Sequence, residues 1–547
     1  VPAADDFDAA EASREAARCL DCQCLECVRV CPFLEKHKAH PKAYVRQIYN
    51  NAAIVKGQHL ANKLVNSCSL CGLCQRVCPE GFSMAELCLT ARQDMTARAV
   101  MPQSAHEFAL EDMAAANGPD FALTRPDPAS ARAAQVFFPG CQLCASHPHH
   151  VASAYAHLRR HLPGGVGLIS RCCGIPAQWA GRSDQLRRAA EDFAQPWTVL
   201  GRPRVIAACS GCLSVFRLPQ FLAAAPGLEA VSLWEALAQT PLPRPDQAQA
   251  PASGYLPQPH RPAGPLALHD PCTARDDAPF RASARALAAR LGVPVAELPL
   301  SGELTECCGF GGLMAQVDAP LARTVAERRA AESPLDYLAC CAMCRDRLAA
   351  AGKRCLHLLD LLFPCPEADP AARPGPGYSQ RQEARAALKS GLLREVWREN
   401  GGATPRPEAA PKDQPRPERA PQLAARLEER RILVSDLRRT IDEALAANRC
   451  LRDAHSDRLL ASARPRRVTF WAEFAPDAAT QGGLRLLNAW SHRMIVPGAG
   501  GVQEAPQATG EVVNRVDQTY LPASGAWGCA ACGQALTPSP VVASYLG

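Results

Sequence analysis

The sequence lacks any uninterrupted apolar run of the roughly 18 residues that a helix needs to cross a bilayer. Its N-terminus carries Asp5, Asp6, Asp8 and Glu11, whereas a signal peptide begins with basic residues. The formal net charge of +6 over 547 residues is too small to argue for a nucleic-acid partner. These absences predict a cytoplasmic protein without membrane insertion or nucleic-acid binding.

The glycine-rich dinucleotide motif G-x-G-x-x-G is also absent. Cysteine, in contrast, is abundant, with 27 residues. In a long chain without a secretory signal, so many thiols indicate metal ligands and redox groups rather than disulfides. We therefore expect a reducing, anaerobic setting. Because the chain starts at Val1 and stops at Gly547, we also expect both ends to be cut or processed.

The clearest cysteine motif is C-x2-C-x2-C-x3-C-P, formed by Cys68, Cys71, Cys74 and Cys78. In bacterial ferredoxins, three thiolates of such a loop hold one [4Fe-4S] cubane and the fourth reaches a second cluster. Structural zinc is the alternative, but its two cysteine knuckles are usually separated by a longer insert. Cys88 follows in an apolar helical pattern and is expected to be a buried small hydrophobe.

A variant of this motif lies upstream and contains five cysteines. The predicted cubane ligands are Cys19, Cys22, Cys27 and Cys31, with Cys24 as a spare or substitute. The stretch resembles the cysteine-rich N-terminal domain of the glutamate synthase small chain, which carries electrons between a flavin and distant iron–sulfur centres.

Two further sets each contain a lone cysteine, a Cys-Cys-Gly and a C-x-x-C. The first set is Cys141, Cys172, Cys173, Cys209 and Cys212, and the second is Cys272, Cys307, Cys308, Cys341 and Cys344. Matching cysteines lie 131 to 135 residues apart, which indicates an internal duplication. Adjacent cysteines cannot easily bond to each other, and zinc in the C-x-x-C pairs would leave them unexplained. The two sets therefore predict two metal clusters.

The segments around these sets alternate between strand and helix patterns. Strands are predicted at 134–138, 166–169, 205–208, 266–269 and 335–339, and helices at 141–162, 183–195, 230–239, 280–291 and 318–332. This order predicts a parallel sheet in each repeat, with the cysteines at the strand ends.

Both five-cysteine sets resemble the paired cysteine-rich (CCG) domains of heterodisulfide reductase, in which each set holds a noncubane [4Fe-4S] cluster. The glycolate oxidase iron–sulfur subunit has a similar layout. Residues 11–399 also resemble a bacterial family described as pyridine nucleotide-disulfide oxidoreductase/dicluster-binding proteins. That family name implies FAD or a nicotinamide cofactor, which we expect on a partner or on a missing domain.

The resemblance and the sequence patterns together predict a multidomain protein: an α-helical dicluster ferredoxin-like domain, two α/β CCG repeats and, from the patterns alone, a small α+β C-terminal unit. The expected boundaries are 1–100 for the dicluster domain, 134–240 and 266–365 for the repeats, 366–422 for proline-rich linkers flanking a charged helix at 379–399, 423–500 for the small unit and 520–547 for a cysteine knuckle.

The expected activity is iron–sulfur electron transfer with disulfide reduction. Electrons would pass from a flavoprotein, an NAD(P)H-oxidising partner or ferredoxin through two cubanes to two noncubane clusters, where Cys172, Cys173, Cys307 and Cys308 would act on a disulfide or thiol substrate. The alternative is a non-catalytic relay subunit of a dehydrogenase complex.

The remaining candidates have weaker patterns. Cys529 and Cys532 form half of a zinc-ribbon or rubredoxin-like knuckle, so zinc there needs two further thiolates from elsewhere. His147, His149 and His150 are expected to face solvent at a helix start. A last set of cysteines has no partner at ligand spacing and is predicted to be bystander thiols: Cys144, Cys340, Cys355, Cys365 and Cys450.

Overall fold

The computed structural model describes residues 8–17, 22–37, 41–54, 60–130, 133–243, 259–399, 421–453, 455–476, 483–493, 527–529 and 535–536. Within this part of the chain, no helix is both long and apolar enough to span a bilayer. The chain divides into two units, the first formed by Val1–Pro376 with Gln380–Gly401, the second by Gly377–Ser379 with Gly402–Gly547.

The N-terminal part of the first unit is helical. Its helices are α1 (Ala9–Ala17), α2 (Glu26–Arg29), α3 (Pro32–His37), α4 (Pro41–Tyr49), α5 (Leu60–Ser67), α6 (Leu73–Val77), α7 (Met84–Ala97) and α8 (Glu107–Ala115). The short helices α2 and α6 each form within a cysteine motif, and each begins after a left-handed residue, Leu25 and Gly72 respectively. Tight loops of this kind turn several thiols toward one point.

The first five-cysteine repeat contains a five-stranded sheet. Its elements are β1 (Leu123–Arg125), β2 (Gln135–Phe138), α9 (Cys141–Ser146), α10 (Pro148–His161), β3 (Val166–Ser170), α11 (Ile175–Trp179), α12 (Ser183–Val199), β4 (Arg204–Ala207), α13 (Ser210–Phe216), α14 (Pro219–Ala224), β5 (Ala230–Ser232) and α15 (Leu233–Ala238). The strand order is β1-β3-β2-β4-β5. The four strands β2 to β5 pair in parallel, which confirms the predicted parallel arrangement.

Three details differ from the sequence-based expectation. The helix predicted at 141–162 is two helices, because Pro148 begins α10 after a turn at His147. The helix predicted at 230–239 starts only at Leu233, since 230–232 form the edge strand β5. The segment between the predicted dicluster domain and the first repeat, for which no element was predicted, supplies β1, which pairs antiparallel with β3.

The second repeat contains a four-stranded, wholly parallel sheet in the order β7-β6-β8-β9. Its elements are β6 (Leu266–His269), α16 (Ala278–Arg290), β7 (Val295–Glu297), α17 (Met314–Val317), α18 (Ala319–Ala330), β8 (Tyr337–Ala339), α19 (Ala342–Ala350), β9 (Cys355–His357) and α20 (Leu358–Leu362). The predicted strands and helices are confirmed here, while β7 and β9 were missed because three-residue strands leave almost no periodic signal.

Both sheets are buried and place cysteines where strands end. Val136, Phe137 and Phe138 of β2 are wholly buried, as are Tyr337, Leu338 and Ala339 of β8. Cysteines follow the carboxyl ends of strands in both repeats: Cys141 after β2, Cys172 after β3, Cys209 after β4, Cys272 after β6 and Cys341 after β8. The thiols therefore lie at the carboxyl-terminal ends of the strands in each sheet, where open α/β sheets generally bind ligands.

The charged helix predicted at 379–399 is α21 (Tyr378–Glu395). Its Arg385 side chain donates hydrogen bonds to Asp112 and to the Cys141 carbonyl oxygen, so this helix packs against the first repeat.

In the described part of the second unit, two helices accompany one antiparallel sheet. Its elements are α22 (Pro421–Arg430), α23 (Val434–Ala446), β10 (Leu451–Asp453), β11 (Leu459–Ala463), β12 (Thr469–Pro476), β13 (Leu484–His492), β14 (Trp527–Cys529) and β15 (Ala535–Leu536). The paired strands β12 and β13 of this sheet lie within the small α+β unit predicted at 423–500, and Trp471 and Trp490 stack across them at 6.0 Å between ring centroids.

Candidate metal centres

The thiols of the two N-terminal cysteine motifs interleave. Cys31, from the first motif, lies beside Cys71, Cys68 and Cys74 of the second. Cys78, the last cysteine of the second motif, in turn lies near Cys27 of the first. Each Cys-Pro ending therefore reaches across to the other loop, which is the exchange that two-cluster ferredoxins use.

The remaining cysteines of this module are placed less uniformly. Cys22 and Cys24 both lie near Cys27, and Cys24 is exposed. Cys19 lies outside the described residues, so the choice between Cys19 and Cys24 as a ligand stays a prediction. Cys88 is fully buried and hydrogen-bonds Cys68, which confirms its predicted burial.

Crowding of the thiols makes their ionisation unfavourable without a cation. Burial, followed by the neighbouring thiolates Cys74 and Cys78, raises the pKa of Cys27 to about 11. Burial with Cys71 and Cys68 nearby raises the pKa of Cys74 to about 12. Metal ions would supply the positive charge that several thiolates in one place require.

The first five-cysteine set forms a continuous group of thiols. Cys172 is hydrogen-bonded to Cys141 and Cys173, and Cys212 to Cys173 and Cys209. Hydrogen bonds from Cys172 and Cys212 lower the pKa of Cys173 to about 6 despite its burial. A Cβ on Gly140 would lie 3.1 Å from Cys212 Sγ, so this glycine keeps space beside the sulfur atoms.

The second set repeats this arrangement. Cys307 is hydrogen-bonded to Cys272 and Cys308, and Cys344 to Cys308 and Cys341. The Cys272 and Cys308 thiols lower the pKa of Cys307 well below its ordinary value, and the Gly309 N–H donates to Cys307 Sγ at 3.2 Å. The glycine-rich loop after the Cys-Cys pair thus offers a backbone donor to sulfur.

Sequence reasoning missed one buried residue at the second set. A ring nitrogen of His269, at the end of β6, lies within 4.8 Å of the sulfur atoms of Cys308 and Cys344. Arg329 Nε donates to His269 Nδ1 at 3.1 Å, and burial lowers the pKa of His269 to about 3. The sequence signal that could have identified His269 is its position at a strand end, three residues before Cys272. The matching position in the first repeat is Phe138.

The cysteine groups meet at two junctions. At the first, Cys71 of the ferredoxin-type loop lies near Cys307 and Cys272. Around it, a small cavity is lined by Cys31, Cys71, Ser69 and Cys307, among others. At the second junction, the Cys209 thiol of the first repeat hydrogen-bonds the Cys341 thiol of the second.

Hydrogen bonds from the Arg92 side chain to backbone carbonyl oxygens stabilise the first junction. Arg92 is fully buried and donates to the carbonyl oxygens of Cys68, at 2.8 Å, and Gly312, at 2.9 Å. The loop that follows the Cys307-Cys308 pair therefore stays against the ferredoxin-type loop.

The predicted site residues outside these groups have different outcomes. Cys529 ends β14, but Cys532 lies outside the described residues. His149 and His150 do begin a helix as predicted, yet the expectation that the three histidines face solvent is wrong, because His147 and His150 are completely buried. The short polar sequence suggested a surface, whereas α10 turns its first residues toward the second repeat.

The residues fit iron–sulfur clusters in their chemistry. Soft thiolate donors converge in buried groups, and backbone N–H groups donate to Cys68 and Cys307.

Comparisons with known proteins agree with these observations. Residues 18–83 match a family described as a 4Fe-4S dicluster domain, and residues 135–217 and 266–346 match the Cysteine-rich domain family. One subunit of the dihydromethanophenazine:CoB–CoM heterodisulfide reductase of Methanosarcina barkeri is 24% identical over 370 residues, covering 60% of this chain and 87% of that protein. These findings confirm the resemblance to iron–sulfur electron-transfer proteins of the heterodisulfide reductase type.

Proposed function

We propose that this chain passes electrons through two ferredoxin-type cysteine groups to the two five-cysteine sets, where a disulfide is reduced. The observation that carries the proposal is the series of neighbouring thiols, with Cys71 beside Cys307 at one junction and Cys209 beside Cys341 at the other. This series orders the groups as dicluster module, second repeat, first repeat. The order differs from that along the chain.

Four groups of cysteines would hold the clusters. Cys31 would complete the group of Cys68, Cys71 and Cys74, while Cys78 would join Cys22, Cys27 and either Cys19 or Cys24. The five-cysteine sets would each hold one noncubane cluster, with the fifth thiolate allowing a change of coordination. Bound iron–sulfur clusters supply one-electron transfer at these positions.

The reduction itself would occur where the repeats meet. Cys209, Cys272 and Cys341 are partly exposed, whereas Cys172, Cys173 and Cys308 are buried. A disulfide could therefore approach the Cys209–Cys341 junction, with one sulfur toward each repeat. Two electrons from the donor and two protons from solvent would break the S–S bond and leave two thiols.

The electrons would come from a partner. The related reductase protein is named as one subunit, which supports an assembly with a redox partner here as well. A flavoprotein, an NAD(P)H-oxidising subunit or ferredoxin would serve as donor, because the sequence contains no dinucleotide motif of its own.

A relay role without substrate chemistry is the second candidate function. The observation that favours it is the burial of the Cys-Cys pairs: Cys172, Cys173 and Cys308 are no more than 3% exposed. In this case the first repeat would hand electrons to another protein.

The number of clusters can be measured by iron and sulfide analysis after anaerobic reconstitution. Four clusters of four irons give about 16 irons and about 16 sulfides per chain. A value near eight irons with zinc present would contradict the four-cluster proposal.

Replacement of Cys308 by alanine distinguishes reductase from relay. The ferredoxin-type EPR signals should persist while disulfide reduction with a chemical electron donor is lost. Cys340→Ser, a change at a neighbouring buried thiol outside the sets, is the matched control and should keep both. Electron transfer without disulfide reduction by the unchanged chain would favour the relay, and unchanged reduction in the Cys308 variant would contradict a role of the second set in the reaction.

A further inference from the structure

A second cluster of metal-binding side chains lies apart from the five-cysteine sets. It consists of His149 and His150 at the start of α10, Asp360 of α20, and Cys365 in the loop after α20. One potential ligand atom from each residue lies within 4.8 Å of all the others. His150 and Asp360 are completely buried, Cys365 is 4% exposed and His149 is partly buried.

We propose that these four residues bind one zinc ion. Two imidazoles, a carboxylate and a thiolate are all ligands that zinc accepts, and four protein ligands complete its tetrahedral shell. The site would be structural, because no position is left for water or substrate. It is independent of the proposed electron transfer, since zinc does not change its oxidation state.

The distances are close to those that a tetrahedral ion imposes. Cys365 Sγ lies 3.6 Å from Asp360 Oδ1 and 3.9 Å from His149 Nε2. Zinc–sulfur bonds of about 2.3 Å and zinc–nitrogen bonds of about 2.0 Å give ligand separations of about 3.2–3.6 Å. His150 Nε2 and Asp360 Oδ1 form a hydrogen bond of 2.7 Å, which zinc would replace by widening the pair by about half an ångström.

The charges around the cluster also call for a cation. Arg373 donates to Asp360, Glu367 and Cys365, so one positive charge faces two carboxylates. A divalent ion together with ionised Cys365 adds one net positive charge and makes the buried group neutral. Uncompensated buried charge is costly, so this balance favours binding.

The first repeat shows that the fold itself does not require these residues. In both repeats the last strand runs into a helix that begins with a capping box, formed by Ser232 and Glu235 in the first repeat and by His357 and Asp360 in the second. The positions that match His149 and His150 in the second repeat, 131 residues later, are Phe280 and Arg281. The histidines, Asp360 and Cys365 therefore form a group that only one of the duplicated surfaces carries.

Zinc at this site would fasten the two repeats together. His149 and His150 belong to the first repeat, whereas Asp360 and Cys365 follow the last strand of the second. The ion would hold α10 against α20.

The direct test is zinc K-edge X-ray absorption on the anaerobically purified full chain, with Cys529→Ser and Cys532→Ser introduced so that the C-terminal knuckle cannot bind zinc. Samples are treated with Zn²⁺ and desalted. We expect about one zinc per chain with one sulfur at about 2.3 Å and three nitrogen or oxygen ligands at about 2.0–2.1 Å. Absence of retained zinc, or a spectrum with three or four sulfur ligands, would overturn the proposal.

Single-residue variants test whether Cys365 is one of the zinc ligands. Cys365→Ser should lower zinc by about tenfold or more while iron content stays unchanged, because a lost thiolate weakens the site strongly. Cys355→Ser, at a buried thiol ten residues away in β9, is the matched control and should retain zinc. Equal zinc in the two variants would refute the assignment. Should the Cys365 variant also lose iron, and so report misfolding, the absorption spectrum of the chain with an intact Cys365 decides the question.

Discussion

At the scale of single residues, Gly312 decides how closely the ferredoxin-type loop approaches the second repeat. Its φ is 59°, and a Cβ there would lie 2.3 Å from the carbonyl oxygen of Cys68. The obstacle is backbone, which cannot move aside as a flexible side chain can. Only glycine permits this contact, which places Cys71 near Cys307.

We therefore expect Gly312→Ala to reduce both stability and iron content. The left-handed backbone alone costs roughly 1–2 kcal/mol for a residue with a Cβ, and overpacking adds about 1–3 kcal/mol. Unfolding midpoints and iron per chain measure the two effects.

The variant Gly292→Ala distinguishes the cost of a left-handed backbone from the cost of a steric clash between the new Cβ and its neighbours. Gly292 has a φ of 70° but no heavy atom within 4 Å of the Cβ position. It should show the backbone cost alone, with normal iron content. Equal losses in the two variants would show that the contact with Cys68 is unimportant.

At the scale of elements, α21 brings a positive charge to the first five-cysteine set. Arg385 is 2% exposed, donates to the Cys141 carbonyl oxygen at 3.0 Å and pairs with Asp112 at 2.6 Å. A buried cation stabilises added negative charge nearby. The helix that the sequence placed between linkers therefore influences the electrostatics of the first repeat.

Replacement of Arg385 by methionine should lower the reduction potential of a cluster in the first repeat, because an added electron loses a nearby positive charge. Two charges about 8 Å apart interact by about 2 kcal/mol at an effective dielectric constant of 20, so the shift should be roughly 50–100 mV. An EPR-monitored redox titration measures it.

Lys389→Met removes the same charge from the next turn of α21 and is the matched control. Lys389 donates to the Ala122 carbonyl oxygen at 3.0 Å rather than to the cysteine set. Its replacement should shift the potential less than the Arg385 variant does. A shift of equal size would mean that the effect of Arg385 is not local.

At the scale of the whole molecule, buried neutral histidines make the first unit sensitive to acid. Burial lowers the pKa of His106 to about 3 and that of His157 to about 4. In the unfolded chain these side chains titrate near pH 6.5. The unfolded state therefore binds more protons below pH 6.5, and stability is lost as pH falls from 6.5 toward the folded-state pKa values.

His106→Gln should weaken this pH dependence. Between pH 7 and pH 5, one such histidine contributes a loss of about 2 kcal/mol. Denaturant unfolding at several pH values should show a smaller decrease for the variant than for the unchanged protein. A decrease in the variant as large as that in the unchanged protein would argue against burial of His106 as a cause of the acid sensitivity.

The parts of this protein that could be predicted are those with local causes. Strands β2, β3 and β6 were predictable because each is a short apolar run ended by a turn before or near a cysteine. Strand β1 and the cluster of His149, His150, Asp360 and Cys365 were not, since neither has a periodic signal. Burial of His150 depends on Asp360, 210 residues away.

The sequence by itself determined which thiols exist, how they are spaced and that the five-cysteine pattern occurs twice, because these properties belong to neighbouring residues on one chain. Tertiary structure decided which thiols meet. Cys31 joins the loop of Cys68, and Cys209 reaches Cys341, across separations that no spacing rule covers. The physical reason is that such contacts depend on how sheets and helices pack, and packing sums many weak interactions from distant parts of the chain.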